Sequence, residues 1–486
     1  MGNNHKSNIK RLSEIPVENG KIVSVEFKEA FQKDILEGTG SPLPLMTRKI
    51  PDCYRVKIKL MPSEQSNIIV ELWLPAEDAW NGKYLGTGTG GGAGQIVDLS
   101  LMCGAGRGYA TANTDLGTGP DFNALHGQIE RWKDFGHRAT HLMTVVSKQI
   151  IEAFYGRAPE KSYFWGGSTG GNQALMEAQR YPNDHDGIVV MEPARNRTGL
   201  HTKIAWDWNA IHRRGALFNQ QTADAITARI VEVYGKEAGN EEGDKFLAHP
   251  ERIKLDMSIF DDMMASGVLT QAQVDALHDI YQGPIDPVTG EQYFPGMTPG
   301  SEAVDMGLVK LSDKESMEKE LLFPFYWMLG EDYDLLKLDF HKDAVQLREQ
   351  MGSLMNANDP DLSAFRDAGG KMLLISGTAD PIISYRDATN YYQDVCEKMG
   401  GPEETEKFLR YFVVPGFGHT ISGPCVQEVG TLGLEKFPLD PRHDIFALLE
   451  AWVEQGEPPV EFAPATCAGG SMLFDVSGER EAFRVR

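Results

Sequence analysis

Three side chains stand out for the chemistry that their types and order permit. Ser168 lies in Gly166-Gly167-Ser168-Thr169-Gly170, Asp380 in Gly377-Thr378-Ala379-Asp380-Pro381, and His419 in Pro415-Gly416-Phe417-Gly418-His419. A serine hydroxyl is a weak nucleophile until an imidazole takes its proton. The imidazole in turn needs a carboxylate to fix its tautomer and steady its charged form. Serine, aspartate and histidine follow one another here in an order known to build such a set. Glycines two residues to either side of the serine allow a sharp strand-to-helix turn that lifts the hydroxyl clear of its neighbours. Attack on a carbonyl also needs N–H donors for the oxyanion. One is the backbone N–H of Thr169, at the start of the following helix. The glycine run Gly86–Gly94 (GTGTGGGAG) offers the second, at Gly91 or at the adjacent Gly90. The bland alternatives are a glycine turn with a solvent-facing serine and a flexible glycine linker.

The elements that must position these groups are visible as apolar runs. Strands are expected at Ser66–Pro75, Gly82–Gly86, Arg107–Thr114, Lys161–Trp165 and Gly187–Met191. Helical spacing covers Phe135–Tyr155, and a second helix, Gly170–Arg180, follows the serine. After about Arg195 the alternation stops. Helices at Asn219–Tyr234 and Thr270–Tyr281 are separated by loops rich in Gly, Pro and Asp. Strands resume at Lys371–Ser376 and Leu409–Val414, each ending just before Asp380 or His419, and Asp444–Glu454 reads as a closing helix. Strand and helix in alternation predict an α/β chain with a doubly wound, mostly parallel sheet. With the serine elbow, this is the α/β-hydrolase fold, interrupted once by an inserted lid domain. The sequence divides into core at 1–196, lid at 197–357 and core again at 358–486.

The whole chain narrows the choices further. Its 486 residues carry a net charge of −23, which excludes nucleic acid and anionic membrane surfaces as natural partners. The partner expected is a small molecule. Cys53, Cys103, Cys396, Cys425 and Cys467 show no metal-type spacing and read as free thiols. No apolar segment follows the first basic residues, and Lys6 stands where a myristoylation signal wants Ser or Thr. The expected location is cytoplasmic, or secreted if the sequence is a trimmed mature form.

Several segments then carry a resemblance. Asp134–Lys148 (DFGHRATHLMTVVSK), Tyr163–Ala194 (YFWGGSTGGNQALMEAQRYPNDHDGIVVMEPA), Asp361–Asp380 and Val414–His419 (VPGFGH) resemble the tannase and feruloyl esterase family, which also includes a terephthalate-monoester hydrolase. Leu269–Gln273, Ile280–Gly283 and Tyr293–Glu302 are similar to that family's lid. The resemblance implies hydrolysis of esters of aromatic acids, with no cofactor in catalysis. The family joins a cysteine before the serine to one after the histidine; Gly167 and Thr420 stand there in this chain. Glu192 replaces a residue that the family keeps small. A structural calcium in the lid is also implied, on Glu237, Asn240 and Asp244 with the carbonyls of Glu242 and Phe246. An acidic solvated loop is the competing reading.

The sequence therefore points to a serine-dependent carboxylic ester hydrolase acting on feruloyl, galloyl or benzoate-type esters. An acyltransferase or biosynthetic hydrolase with the same triad, and a catalytically silent ligand-binding protein, are its rivals. The lid aromatics Trp206, Trp208, Tyr281, Phe325 and Trp327 are candidates for the acyl-side wall, none singled out.

Overall fold

A computed structural model of the chain describes residues 2–34, 47–419, 423–424, 426–428, 440–462, 465–466, 472–475 and 484–485. Its centre is a nine-stranded sheet. In chain order the strands are β1 (Gly20–Lys28), β2 (Cys53–Leu60), β3 (Ile68–Pro75), β4 (Lys83–Thr87), β5 (Ala110–Thr114), β6 (Lys161–Gly167), β7 (Gly187–Met191), β8 (Lys371–Gly377) and β9 (Leu409–Val414). They lie side by side as β1-β2-β3-β5-β4-β6-β7-β8-β9. From β5 to β9 every neighbouring pair is parallel, whereas β1, β2 and β3 form an antiparallel edge joined to β5. The parallel strands are apolar runs such as GIVVM and KMLLIS, as strands covered on both faces require. This is the α/β-hydrolase architecture expected from the sequence.

Helices cover the two faces. Those that matter for the site are α1 (Ala139–Tyr155), α2 (Thr169–Arg180), α3 (Arg197–His212), α4 (Lys342–Met355) and α5 (Tyr385–Met399). The expected helix Phe135–Tyr155 is α1 preceded by a π-helical turn, Asp134–Arg138. The wider turn coincides with a tight contact, since a Cβ on Gly136 would stand 2.1 Å from the Leu354 carbonyl oxygen at the end of α4. Among the described residues no helix is long and apolar enough to cross a membrane.

The register of the parallel strands brings their carboxyl ends to one level. Gly167 pairs with Met191, Met191 with Ile375, and Gly377 with Val414. Residues that follow these strands therefore emerge along one edge of the sheet, where open α/β sheets place their sites. Between β7 and β8 the chain is helical apart from loops and one isolated bridge, Ile285 to Gln292. It leaves and returns at one place: the Ala357 N–H donates to the Arg195 carbonyl at 2.8 Å, and the Thr198 N–H to the Asn356 side chain at 3.0 Å.

Candidate active site

β6 ends at Gly167 and α2 begins at Thr169, so Ser168 alone makes the turn. Its φ of 57° and ψ of −118° lie where L-residues are strained. The surroundings hold it there. Its N–H donates to the Met191 carbonyl at 3.1 Å, and its own carbonyl accepts from Asn172 and Ala194 at 3.1 and 3.0 Å. Glycine is needed beside it because the turn is so tight. A Cβ on Gly166 would fall 2.2 Å from the Gly170 carbonyl oxygen, and one on Gly88 would fall 2.4 Å from Gly170 Cα.

Asp380 and His419 leave β8 and β9 along the same edge. His419 Nδ1 lies 2.8 Å from Asp380 Oδ2. The other carboxylate oxygen of buried Asp380 accepts the N–H groups of Ile382 and Ile383, each at 2.9 Å. One oxygen is thus anchored to backbone and the other is aimed at the imidazole. With Nδ1–H donating to a carboxylate, Nε2 is the nitrogen left to accept a proton.

A second carboxylate stands close by. Glu192 follows β7 with a φ of 38° and is buried, and the ligating atoms of Glu192, Asp380 and His419 lie within 4.8 Å of one another. Burial works to lower the His419 pKa. The charge and hydrogen bond of Asp380 outweigh it, helped by the charges of Glu192 and then Asp305, and raise it to about 9. The sequence marked Glu192 only as an unusual residue near the site, and it gave no sign of Asp305.

Ser168 and His419 face a small cavity of about 30 Å³. Gly91 and Thr169 line it as well, and Gly90 does not. The Thr169 hydroxyl donates to the Gly91 carbonyl at 2.7 Å and so fastens the glycine run to the elbow. The opposite wall comes from α3 and from the rest of the segment between β7 and β8: Arg197, Leu200, His201, Ile204, Met306, Leu321 and Phe323. Larger clefts of about 350 and 580 Å³ lie elsewhere on the surface and hold none of the three residues that suggested the chemistry.

Other expectations are corrected by the packing. Trp206, Trp208, Tyr281, Phe325 and Trp327 do not line this cavity; Trp208, Phe325 and Trp327 are core residues of the helical segment. Phe323 is the one benzenoid ring on the wall, among Leu200, Ile204, Met306 and Leu321, with Arg197 and His201 beside them. Sequence reasoning missed Arg197 and His201, which no motif marks. Cys53, Cys103 and Cys396 are buried, while Cys425 and Cys467 lie outside the described residues. Thr420 does too, so the facing of Gly167 and Thr420 falls outside them.

The implied calcium does not fit its loop. Asn240 Oδ1 accepts the Ala248 N–H at 2.9 Å, and its amide nitrogen donates to the Phe246 carbonyl, the oxygen a cation would need. Asp244 accepts the Glu241 N–H at 2.8 Å. Among the described residues, Glu237, Glu242 and Asp244 belong to no cluster of three metal-ligating side chains. The loop is closed by its own hydrogen bonds.

Comparisons with known proteins identify the family and the fold. The family described as "Tannase and feruloyl esterase" matches residues 53–473. The chain is 31% identical over 431 residues to a probable feruloyl esterase B of Aspergillus clavatus, covering 86% of this chain and 80% of that protein. It is 30% identical over 467 residues to an uncharacterized esterase of Xanthomonas campestris, covering 86% and 78%. The crystal structure of feruloyl esterase B from Aspergillus oryzae superposes with a TM-score of 0.83 at 24% identity, covering 99% of this chain and 100% of that one, a likeness of fold.

Proposed function

The chain belongs to the tannase and feruloyl esterase family and is a carboxylic ester hydrolase, and from that premise we propose that it cleaves esters of aromatic acids through an acyl-enzyme on Ser168. The observation that carries this reading is the convergence of Ser168, His419, Gly91 and Thr169 on one cavity, with Asp380 bonded to the imidazole behind it. His419 Nε2 takes the Ser168 proton as the hydroxyl attacks the ester carbonyl. The backbone N–H groups of Thr169 and Gly91 stabilise the oxyanion. Asp380 steadies the imidazolium, which then protonates the leaving alcohol. Water enters and the same groups act in reverse to release the acid. No metal or cofactor takes part in any of these steps.

Relatives named feruloyl esterase and the apolar wall of Leu200, Ile204, Leu321 and Phe323 both favour an aromatic acyl group. An apolar cavity that takes up benzene measures about 150 Å³. The cavity beside Ser168 holds about 30 Å³, so in this reading the wall contributed by residues 197–323 shifts as the ester enters. That segment acts as the lid. Ser168→Ala should lower turnover of methyl ferulate, methyl gallate or a benzoate ester by roughly 10⁴-fold or more and abolish labelling by a fluorophosphonate. Substantial turnover by the alanine variant would overturn the mechanism.

A further inference from the structure

Arg197 is the first residue of α3, 2% exposed, and lines the cavity that holds Ser168. Its guanidinium lies 4.9 Å over the Phe135 ring. Its Nη1 stands 3.5 Å from His201 Nε2. Nε and Nη2 have no hydrogen-bond partner among the described residues. His201 cannot supply a negative charge. Its Nδ1 lies 2.7 Å from the Leu321 carbonyl, so that nitrogen carries the proton and Nε2 accepts. Burial, then the charge of Arg197, hold it neutral, with a pKa lowered to about 3. Burial alone lowers the Arg197 pKa to about 9, and no nearby carboxylate acts against it.

A buried cation without a counter-ion is costly and is ordinarily paired. Its place in the first turn of a helix makes this worse, because the helix dipole there favours anions. The Nε–Nη2 edge left open is the one that grips a carboxylate with two parallel hydrogen bonds. Phe135 and His201 fix the plane of the guanidinium and leave that edge free.

We propose that Arg197, oriented by His201 and Phe135, forms an anion-binding subsite, and that the preferred ester carries a carboxylate besides the bond that is cleaved. A monoester of an aromatic dicarboxylic acid would present it on the acyl side. An ester of a hydroxy acid would present it on the alcohol side. The carboxylate supplies the missing counter-ion as it enters, so it adds to binding of the correct ester and gives little to a neutral one.

The proposal rests on Ser168 marking the reaction centre, and binding without turnover separates the two. Benzoate and benzamide should be titrated against the wild type and against Ser168→Ala, with calorimetry as the readout. Benzoate should bind at least tenfold more tightly than benzamide to both proteins. Arg197→Met should erase that preference, and Arg197→Lys should restore part of it. In turnover, the wild type should prefer an aromatic monoester over its neutral methyl diester by at least tenfold in kcat/KM, chiefly through KM. Methyl benzoate against the benzoate ester of a hydroxy acid assigns the carboxylate to the acyl or alcohol side. Equal affinity of the wild type for benzoate and benzamide would overturn the proposal, even if the methionine variant fails to fold. So would a loss in Arg197→Met that is the same for charged and neutral esters, because Arg197 would then serve the reaction centre instead.

Discussion

Lys203 Nζ donates to the Pro381 carbonyl at 2.7 Å, so a helix outside the sheet holds the residue that follows Asp380. Lys203 is fully buried on α3 and is paired with Asp207 one turn on, at 2.8 Å. The helix that walls the cavity therefore also braces the loop that aims the carboxylate at His419.

Removing the brace should weaken both the fold and the reaction. Lys203→Met leaves Asp207 as a buried charge without its partner, which costs about 3–5 kcal/mol. The double variant Lys203→Met with Asp207→Leu removes both charges and should recover most of that stability. It should still turn over roughly tenfold more slowly, because the Pro381 carbonyl stays untethered. Thermal unfolding beside kcat measures the two effects separately. Full activity in the double variant would show that the tether does not position Asp380.

The raised pKa of His419 sets the pH dependence. The general base must be neutral, so kcat/KM should rise with pH through about 9 rather than through the ordinary histidine range. Glu192→Gln removes one of the charges that hold the proton on, and the rising limb should move to lower pH. Asp305→Asn should move it the same way by less. Stability follows the opposite course. A histidine whose folded pKa lies above its unfolded value stabilises the fold fully below about 6.5. That contribution is lost as pH rises through about 9. Profiles of kcat/KM for the three proteins decide this, and a limb unchanged in Glu192→Gln would remove Glu192 from the site's electrostatics.

Another buried carboxyl, on α2, should behave differently. Glu177 of α2 is fully buried, with its Oε2 3.3 Å from His185 Nε2. Burial, then the charge and hydrogen bond of Asp184, raise the Glu177 pKa well above the carboxyl range, while burial lowers that of His185 to about 3. The contact is therefore between two neutral groups and is not an ion pair. A carboxyl raised in the folded state costs stability as pH climbs past its unfolded value. Glu177→Gln should consequently be more stable than the wild type at pH 8, on the order of 1 kcal/mol, with the advantage shrinking toward pH 4. Denaturant unfolding at the two pH values checks it; a variant less stable at pH 8 would mean that Glu177 is ionised.

What the sequence made legible follows from where the information sits. Ser168, Asp380 and His419 each follow an apolar run and sit in a glycine-bearing turn, so local signals were enough to place all three at strand ends. Helix α3 gave no such signal. All of its residues except Trp206 and His212 are buried, which leaves no polar face for a helical period to reveal. The subsite it carries depends on Phe135, far away in the chain, and that pairing exists only after folding. Edge strand β1 (GKIVSVEFK) alternates between half-buried and exposed residues and is mixed in character, and it went unread. The insertion aromatics were conspicuous by type, yet most of them fill the segment's interior while Leu200, Ile204 and Phe323 face the cavity.

The bond from Thr169 to Gly91 allows the proposed oxyanion donors to be tested one at a time. Gly91 has a φ of 56° within Gly90-Gly91-Gly92, a run with little conformational restraint of its own. The Thr169 hydroxyl, 2.7 Å from the Gly91 carbonyl, is what fixes it beside Ser168. Thr169→Val keeps the side-chain shape and the Thr169 backbone N–H at the start of α2, and removes only the tether. Its cost in stability should be about 1 kcal/mol, for one half-buried carbonyl left without its donor. Its effect on turnover should be larger than that suggests. A donor that wanders from the oxyanion is felt in the transition state more than in the bound ester. We expect kcat to fall roughly tenfold while KM changes by no more than about twofold. Thr169→Ser, which restores the hydroxyl, should recover most of the rate. If the valine variant instead raises KM and leaves kcat intact, Gly91 contacts the ground-state ester, and the second oxyanion donor lies elsewhere in the glycine run.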